Sequence, residues 1–241
     1  MIRVRTFRAP DDPETSEKFL IGHRRILEIH YGIIKVTSDN TEWLEDPYSV
    51  VIVVEDPHTG KVLGGTRMQV LELGKQLPIE TAVSKYDERI HQVVANDTFA
   101  GGTCEMCGMW NSKEIAGMGI GSHLLVHLGV AVSAQLNVKS VFALCAPSTV
   151  KATLRSGMLL EESVGDNGTF LYPKDNFVAT VTRLRDIQDL SHAGTEEAAR
   201  IIRLRNNLTQ VYMEKGPRGT FEVEYDLFLK NWHQEGIWQN H

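Results

Sequence analysis

Three glycines set two residues apart, Gly117, Gly119 and Gly121, open the most apolar stretch of the chain and follow directly on a strand-like segment at 103–111. Glycine lets a backbone turn tightly and approach a ligand with no Cβ in the way. The first N–H groups of a helix have no partner within it, and together with the helix dipole they attract anions. The run Ala116, Gly117, Met118, Gly119, Ile120, Gly121, Ser122 therefore reads as a strand-to-helix turn able to receive a phosphate or pyrophosphate. A plainer reading stands beside it, in which the glycines only let the strand and helix pack closely.

The segments around this turn set the fold class. Residues 2–7 alternate apolar and polar, as a strand does. Asp11, Asp12 and Pro13 then begin a helix that carries Phe19, Leu20, Ile26, Leu27 and Ile29 and ends near Tyr31 and Gly32. The run SVVIVVE at 49–55 suits a strand buried on both faces. After the turn DPHTG, residues 62–71 complete a hairpin. A weaker helix at 84–95, the Gly101-Gly102 break, the strand at 103–111 and a long helix at 120–136 follow. A strand at 138–145, a short helix at 148–156 and a strand at 177–184 come next. This order predicts a mixed α/β sheet with helices packed on it. From Asp186 the character changes, and charged amphipathic helices are expected at 196–214 and 221–232, separated by Gly216-Pro217. The expected organisation is a domain at 1–185 with a C-terminal helical extension at 186–241.

A formal net charge of −6 argues against general nucleic-acid binding, which needs a basic surface. The start, MIRVRTFRAPDDPE, has no apolar signal region. No run reaches the roughly 18 apolar residues of a membrane span; the segment 120–136 is broken by His123, His127, Ser133 and Gln135. Three cysteines do not make a disulfide framework. A cytoplasmic setting is expected.

The glycine run does not fit a dinucleotide fingerprint, because Ser122 and Leu124 stand where glycine is needed, and a Walker A loop would need a G-K-[ST] that is missing. It resembles the [QR]-x-x-G-x-[GA] motif of the GNAT acyl-CoA N-acyltransferases, and GMGIGSHLL is similar to that family's R-G-x-G-I-G-S-x-L-L. The resemblance extends over about Val4 to Leu184. It implies a mostly antiparallel central sheet with flanking helices. It also implies acetyl-CoA or another acyl-CoA as co-substrate, bound along the strand 103–111 through Met109 and Asn111 and at the loop through Ala116, Gly117, Met118, Gly119, Ile120, Gly121 and Ser122. Two positions depart from the pattern. Ala116 stands at the Gln/Arg position, and Thr153 stands where the family has a tyrosine that protonates the leaving thiolate. A non-catalytic acyl-CoA-binding module is therefore an alternative to an enzyme.

Glu105 lies eleven residues before Ala116, the place of the glutamate general base in the histone-acetyltransferase branch. A carboxylate near the thioester takes the proton that an ammonium must lose before attacking, directly or through one water, and partial burial raises its pKa towards a useful range. The alternative is a carboxylate that orders water or pairs with a lysine. Gly108 is expected to mark a bulge beside a backbone N–H that stabilises the oxyanion. Cys104 and Cys107 form C-x-x-C, but residues three apart on a strand point to opposite faces; buried core thiols are the better reading, and no metal is expected. His123 and His127 share a helix face without the glutamate of a zinc motif. Met106, Met109, Met118 and Met158 read as core or pocket lining.

The N-terminal half also resembles the autoinducer synthases and the related N-acyl amino acid synthases. FLIGHRR, with Arg24, is similar to their F-x-x-R-K helix. EWLED at 42–46 stands where they have an acidic segment before a strand, and GGTRM, with Arg67, is similar to G-x-x-R-L. Gly108 departs from the arginine of that branch. This resemblance implies a long acyl chain from acyl carrier protein or CoA, and substrate contacts by Arg24 and Arg67; ordinary salt bridging is the alternative for both arginines. Overall, the expected activity is acyl transfer, acetyl first, to an amine of a small molecule or peptide in a ternary complex. A homodimer is a further expectation.

Overall fold

The alternating N-terminal segment forms β1 (Ile2–Arg8), and the buried run forms β2 (Ser49–Asp56), which turns back as β3 (Lys61–Val70). The computed structural model describes every residue except 35, 38, 39, 231 and 233–241. Further along lie β4 (Thr103–Asn111), β5 (Ser140–Cys145), the short β6 (Leu159–Leu160) and β7 (Thr169–Leu171), and β8 (Val178–Leu184). A hairpin of β9 (Thr209–Gly216) and β10 (Gly219–Asp226) ends the described sheet. The strand order is β6-β8-β5-β4-β3-β2-β1-β10-β9, with β7 beside β8. Pairing is antiparallel except for β4 with β5 and β1 with β10.

Between these strands run α1 (Pro13–Tyr31), α2 (Pro78–Val83), α3 (Arg89–Phe99), α4 (Ser122–Val132), α5 (Val150–Arg155) and α6 (Thr195–Asn206). Asp12 caps α1 by accepting from the Thr15 N–H, and Gly32, at φ 58°, closes it in the left-handed conformation that suits glycine. α1 buries Phe19 and Leu20 against Val51, Val53, Trp43 and Trp110. α4 is buried from Leu124 to Val132, because the sheet lies on one side and α6, through Ile201 and Leu204, on the other. An all-round apolar helix needs such a position. Among the described residues, no helix is long and apolar enough to cross a membrane.

The structure corrects the expected helical extension. Residues 195–206 are helical, but 209–216 and 219–226 are strands, and Gly216-Pro217 belongs to a hairpin turn instead of separating two helices. TFEVEYD alternates with a period of two, placing Val223 and Tyr225 in the core and Glu222 and Glu224 away from it. β10 pairs with β1 from Ile2↔Val223 to Arg5↔Asp226, so this hairpin extends the central sheet. Charge on the edge strand β9, such as Lys215, is usual protection for an open edge. Residues 233–241 of the expected extension lie outside the described residues. The weak helix expected at 84–95 begins only at Arg89 and runs on to Phe99 as α3, with the short α2 lying just before the expected span, and the long helix at 120–136 is regular only from Ser122 to Val132.

Candidate active site

β4 and β5 pair only over Thr103–Glu105 and Ser140–Phe142. Beyond Glu105 they part: β4 stays with β3 as far as Asn111, while β5 stays with β8 as far as Cys145. A parallel pair that separates leaves unpaired backbone groups on the facing edges, ready for a ligand that is itself amide-like. The gap holds a cavity of 290 Å³, with Glu105, Met109 and Asn111 on the β4 wall and Cys145, Ser148 and Thr149 on the other. α1 contributes His23, Ile26, Leu27 and Tyr31, and the segment before β8 contributes Tyr172 and Phe177. Gly108 takes φ 63° where the β3–β4 register shifts, forming the expected bulge in the middle of this wall.

Glu105 is 2% exposed at the foot of the gap. Its Oε2 accepts from the Ile79 N–H at 2.6 Å. Burial pushes its pKa up to about 8, against the opposing pull of that N–H and of the Arg67 guanidinium. Once ionised, a carboxylate raised in this way is a stronger base than an ordinary one, able to take a proton from a group held beside it. His23, also buried on the cavity wall, is held neutral by burial and by Arg67 and Arg24, with its pKa brought down to about 4.

Arg67 faces Cys107 across the β3–β4 ladder and is 1% exposed. Its Nη1 donates to Gln69 Oε1 and to Ser49 Oγ, and its guanidinium lies 4.8 Å from the Trp43 ring centroid. Gln69 in turn donates to Asp46 Oδ2 at 3.0 Å. This chain of contacts links GGTRM to the acidic EWLED segment beneath a second cavity of 790 Å³. Arg24 is placed elsewhere: it is exposed on α1 and lines neither cavity. The helix turns it outward when Phe19, Leu20 and His23 point in.

The glycine turn has two distinct faces. Gly117 (φ 77°) and Gly119 (φ 81°) adopt conformations that favour glycine, and both abut the β9–β10 turn. A Cβ on Gly119 would stand 2.3 Å from the Lys215 carbonyl oxygen, and one on Gly117 would stand 2.9 Å from Arg218 Cγ. The Arg218 N–H donates to Gly117 O at 2.8 Å, and Arg218 Nη1 donates to the Glu114 and Ala116 carbonyls, each at 3.2 Å. A guanidinium thus stands at the loop position where Ala116 supplies none. Gly121 differs: nothing lies within 4 Å of a Cβ built there. It is the N-cap of α4 with no side-chain cap, and a helix start of this kind leaves its first N–H groups without intrahelical partners. Of the residues expected to contact the cofactor, Met109, Asn111 and Ser122 line the cavity. Ala116, Gly117, Met118, Gly119, Ile120 and Gly121 lie beyond it.

The remaining candidates are buried side chains. Cys104 and Cys107 are buried; burial pushes both thiols up, Cys107 to about 12. Among the described residues no three His, Cys, Asp or Glu side chains are grouped to hold a metal. His127 is buried against α6, with burial bringing its pKa to about 4. Thiols this deep react only on opening. A thiol reagent is expected to label none of the three cysteines of the native protein within minutes and all three in denaturant; rapid native labelling would show that the walls of the cleft, β4 or β5, open. Thr153 lines the cavity, but its hydroxyl donates to Val150 O at 2.9 Å. His23, Tyr31, Ser148 and Tyr172 were not legible as site residues, because only the closed fold brings them together.

No family model matches the sequence, and no curated protein matches it significantly. The structure is similar to that of FeeM, an N-acyl amino acid synthase from uncultured soil microbes. The TM-score is 0.58 at 12% identity, over 82% of this chain and 97% of that one. It is also similar to BjaI, a CoA-dependent acyl-homoserine lactone synthase determined with MTA, with a TM-score of 0.52 at 10% identity over 86% and 90% of the two chains. The AHL synthase LasI gives 0.50 at 10% identity over 78% and 89%. At such identities the likeness is one of fold, and that fold is the GNAT acyl-CoA N-acyltransferase fold.

Proposed function

We propose that this chain transfers an acyl group from acyl-CoA to an amine by direct attack in a ternary complex. The observation that carries this reading is the parting of β4 and β5 over a buried carboxylate whose pKa is raised to about 8. In it, the pantetheine arm lies along Met109 and Asn111, and the pyrophosphate meets the α4 N-terminus at Gly121 and Ser122, with the Arg218 guanidinium standing in for the side chain absent at Ala116. Glu105 takes a proton from the acceptor ammonium. Holding amine and thioester together makes the attack effectively intramolecular.

The acceptor is best read as a cation. The 790 Å³ cavity shares Val36 and Thr37 with the first and carries Glu42, Glu45, Asp46 and Glu72 on its walls against Arg67 and Lys75. Carboxylates lining a concave wall concentrate cations. A second reading, an N-acyl amino acid synthase taking a long acyl chain, draws support from the likeness to FeeM and BjaI and from the buried Arg67 network.

Thermal-shift titration with CoA, acetyl-CoA and a long-chain acyl-CoA tests the proposal. A ligand at a hundred times its Kd stabilises the native state by about 2.7 kcal/mol, which raises Tm by roughly 5–10 °C in a protein of this size. A shift with acetyl-CoA is expected. A shift with only the long chain would favour the second reading, and none with any of the three would remove CoA as the donor carrier.

A further inference from the structure

We propose that Tyr31 is the acid that protonates the departing thiolate, an assignment that rests on the acyl-transfer reading above. Acyl transfer from a thioester ends with an electron pair on sulfur, and Thr153 does not meet the need. An alcohol is a far weaker acid than a phenol, whose pKa is about 10, and the Thr153 proton is already given to Val150 O.

Two tyrosines line the 290 Å³ cavity. The Tyr172 hydroxyl is engaged on the α1 side, accepting from the Thr37 N–H at 2.9 Å and sharing a hydrogen bond with Thr37 Oγ1 at 3.1 Å. Tyr31 reaches across the gap instead. Its hydroxyl lies 2.8 Å from Ser148 Oγ, in the turn between β5 and α5. The ring is held edge-on to Phe177 at 5.3 Å, and Lys174 Nζ donates to the Tyr31 carbonyl. The phenol is thus fixed at the mouth of the opening where β5 leaves β4, next to the helix that bears Thr153. Half-buried, it exchanges protons with solvent, directly and through Ser148.

The acceptor nitrogen, relieved of one proton by Glu105, bonds to the thioester carbonyl carbon while the carbonyl pair moves to oxygen. When that pair returns, the C–S bond breaks and its electrons stay on sulfur. The sulfur takes the Tyr31 proton, and the phenolate regains one, through Ser148, from the proton shed by the new amide nitrogen. The products are an amide and a free thiol.

The test compares Tyr31→Phe with the parent on two acetyl donors that differ in the acidity of the thiol released, S-acetyl-N-acetylcysteamine and 4-nitrophenyl thioacetate, alongside acetyl-CoA. Phenylalanine keeps the ring packed on Phe177, and melting curves verify the fold. General-acid help is worth about 100-fold or more, so kcat on acetyl-CoA and on the cysteamine donor should fall by about that factor with the acetyl-CoA thermal shift unchanged. The nitrothiophenolate leaves without a proton, so its rate should stay within about threefold. Equal losses on both donors would mark Tyr31 as structural, and no loss on the aliphatic donors would overturn the assignment. If the parent turns over none of the three donors, the acyl-transfer reading itself falls, and this assignment falls with it.

Discussion

Replacing Glu105 by Gln is expected to lower kcat by at least about 100-fold, the usual worth of a positioned general base, while leaving the acetyl-CoA thermal shift intact. The amide is the same shape, and its oxygen can still accept from the Ile79 N–H that now holds Oε2. Only the ability to take a proton is lost. The parent should show kcat/KM rising with pH through about 8, because Glu105 must be ionised to act and burial holds its pKa there. Stability moves the other way. A carboxyl whose pKa is raised from 4.5 unfolded to about 8 folded binds its proton more tightly in the native state. Its contribution is fully present below pH 4.5 and is lost as pH rises through 8. Glu105→Gln, which has no proton to lose, should therefore melt higher than the parent at pH 9 and lack that slope. The two results together are specific: a catalytic base buried at a cost to the fold. Unchanged turnover in the variant would rule out Glu105 as the base, and a parent that binds acyl-CoA without turnover would favour a binding module.

The sequence pattern located the centre of the sheet well and its edges poorly, for physical reasons. Thr103–Asn111 was legible because Gly101-Gly102 and the glycine turn bracket it, and SVVIVVE because only a strand covered on both faces tolerates such a run. The β9–β10 hairpin was misread because its strands are charged and near the edge, where burial of Glu214 and Tyr225 against Arg203 supplies what composition does not show. The candidate site divides in the same way. Glu105, Met109 and Asn111 follow from one strand and its offset from the loop. Arg218 reaches Ala116 across 102 residues, and Tyr31 meets Ser148 across 117, pairings that no local pattern encodes. The apparent gaps at Ala116 and Thr153 were visible in the sequence, but the groups beside them were not.

Gly121→Val and Gly119→Ala should fail in opposite ways, and the contrast decides what the glycine turn is for. Gly119 sits at φ 81° with the Lys215 carbonyl 2.3 Å from where a Cβ would be. A left-handed alanine is strained, and here the hairpin backbone must also move, so a loss of about 2–4 kcal/mol is expected. The sequence alone explains that glycine by a ligand, but the structure explains it by the hairpin. Gly121 has φ −105°, which any residue adopts, and nothing within 4 Å of a Cβ. Valine there should change stability by no more than about 0.5 kcal/mol. It would, however, place a branched side chain beside the first N–H groups of α4, the groups a pyrophosphate must approach. CoA affinity should then fall at least about tenfold, or about 1.4 kcal/mol, measured by the same thermal titration, with Tm in the absence of ligand unchanged. If Gly121→Val binds CoA like the parent while Gly119→Ala is merely unstable, the turn is a packing device that lets β4, α4 and the hairpin meet. The anion would then have to be held elsewhere along the cleft.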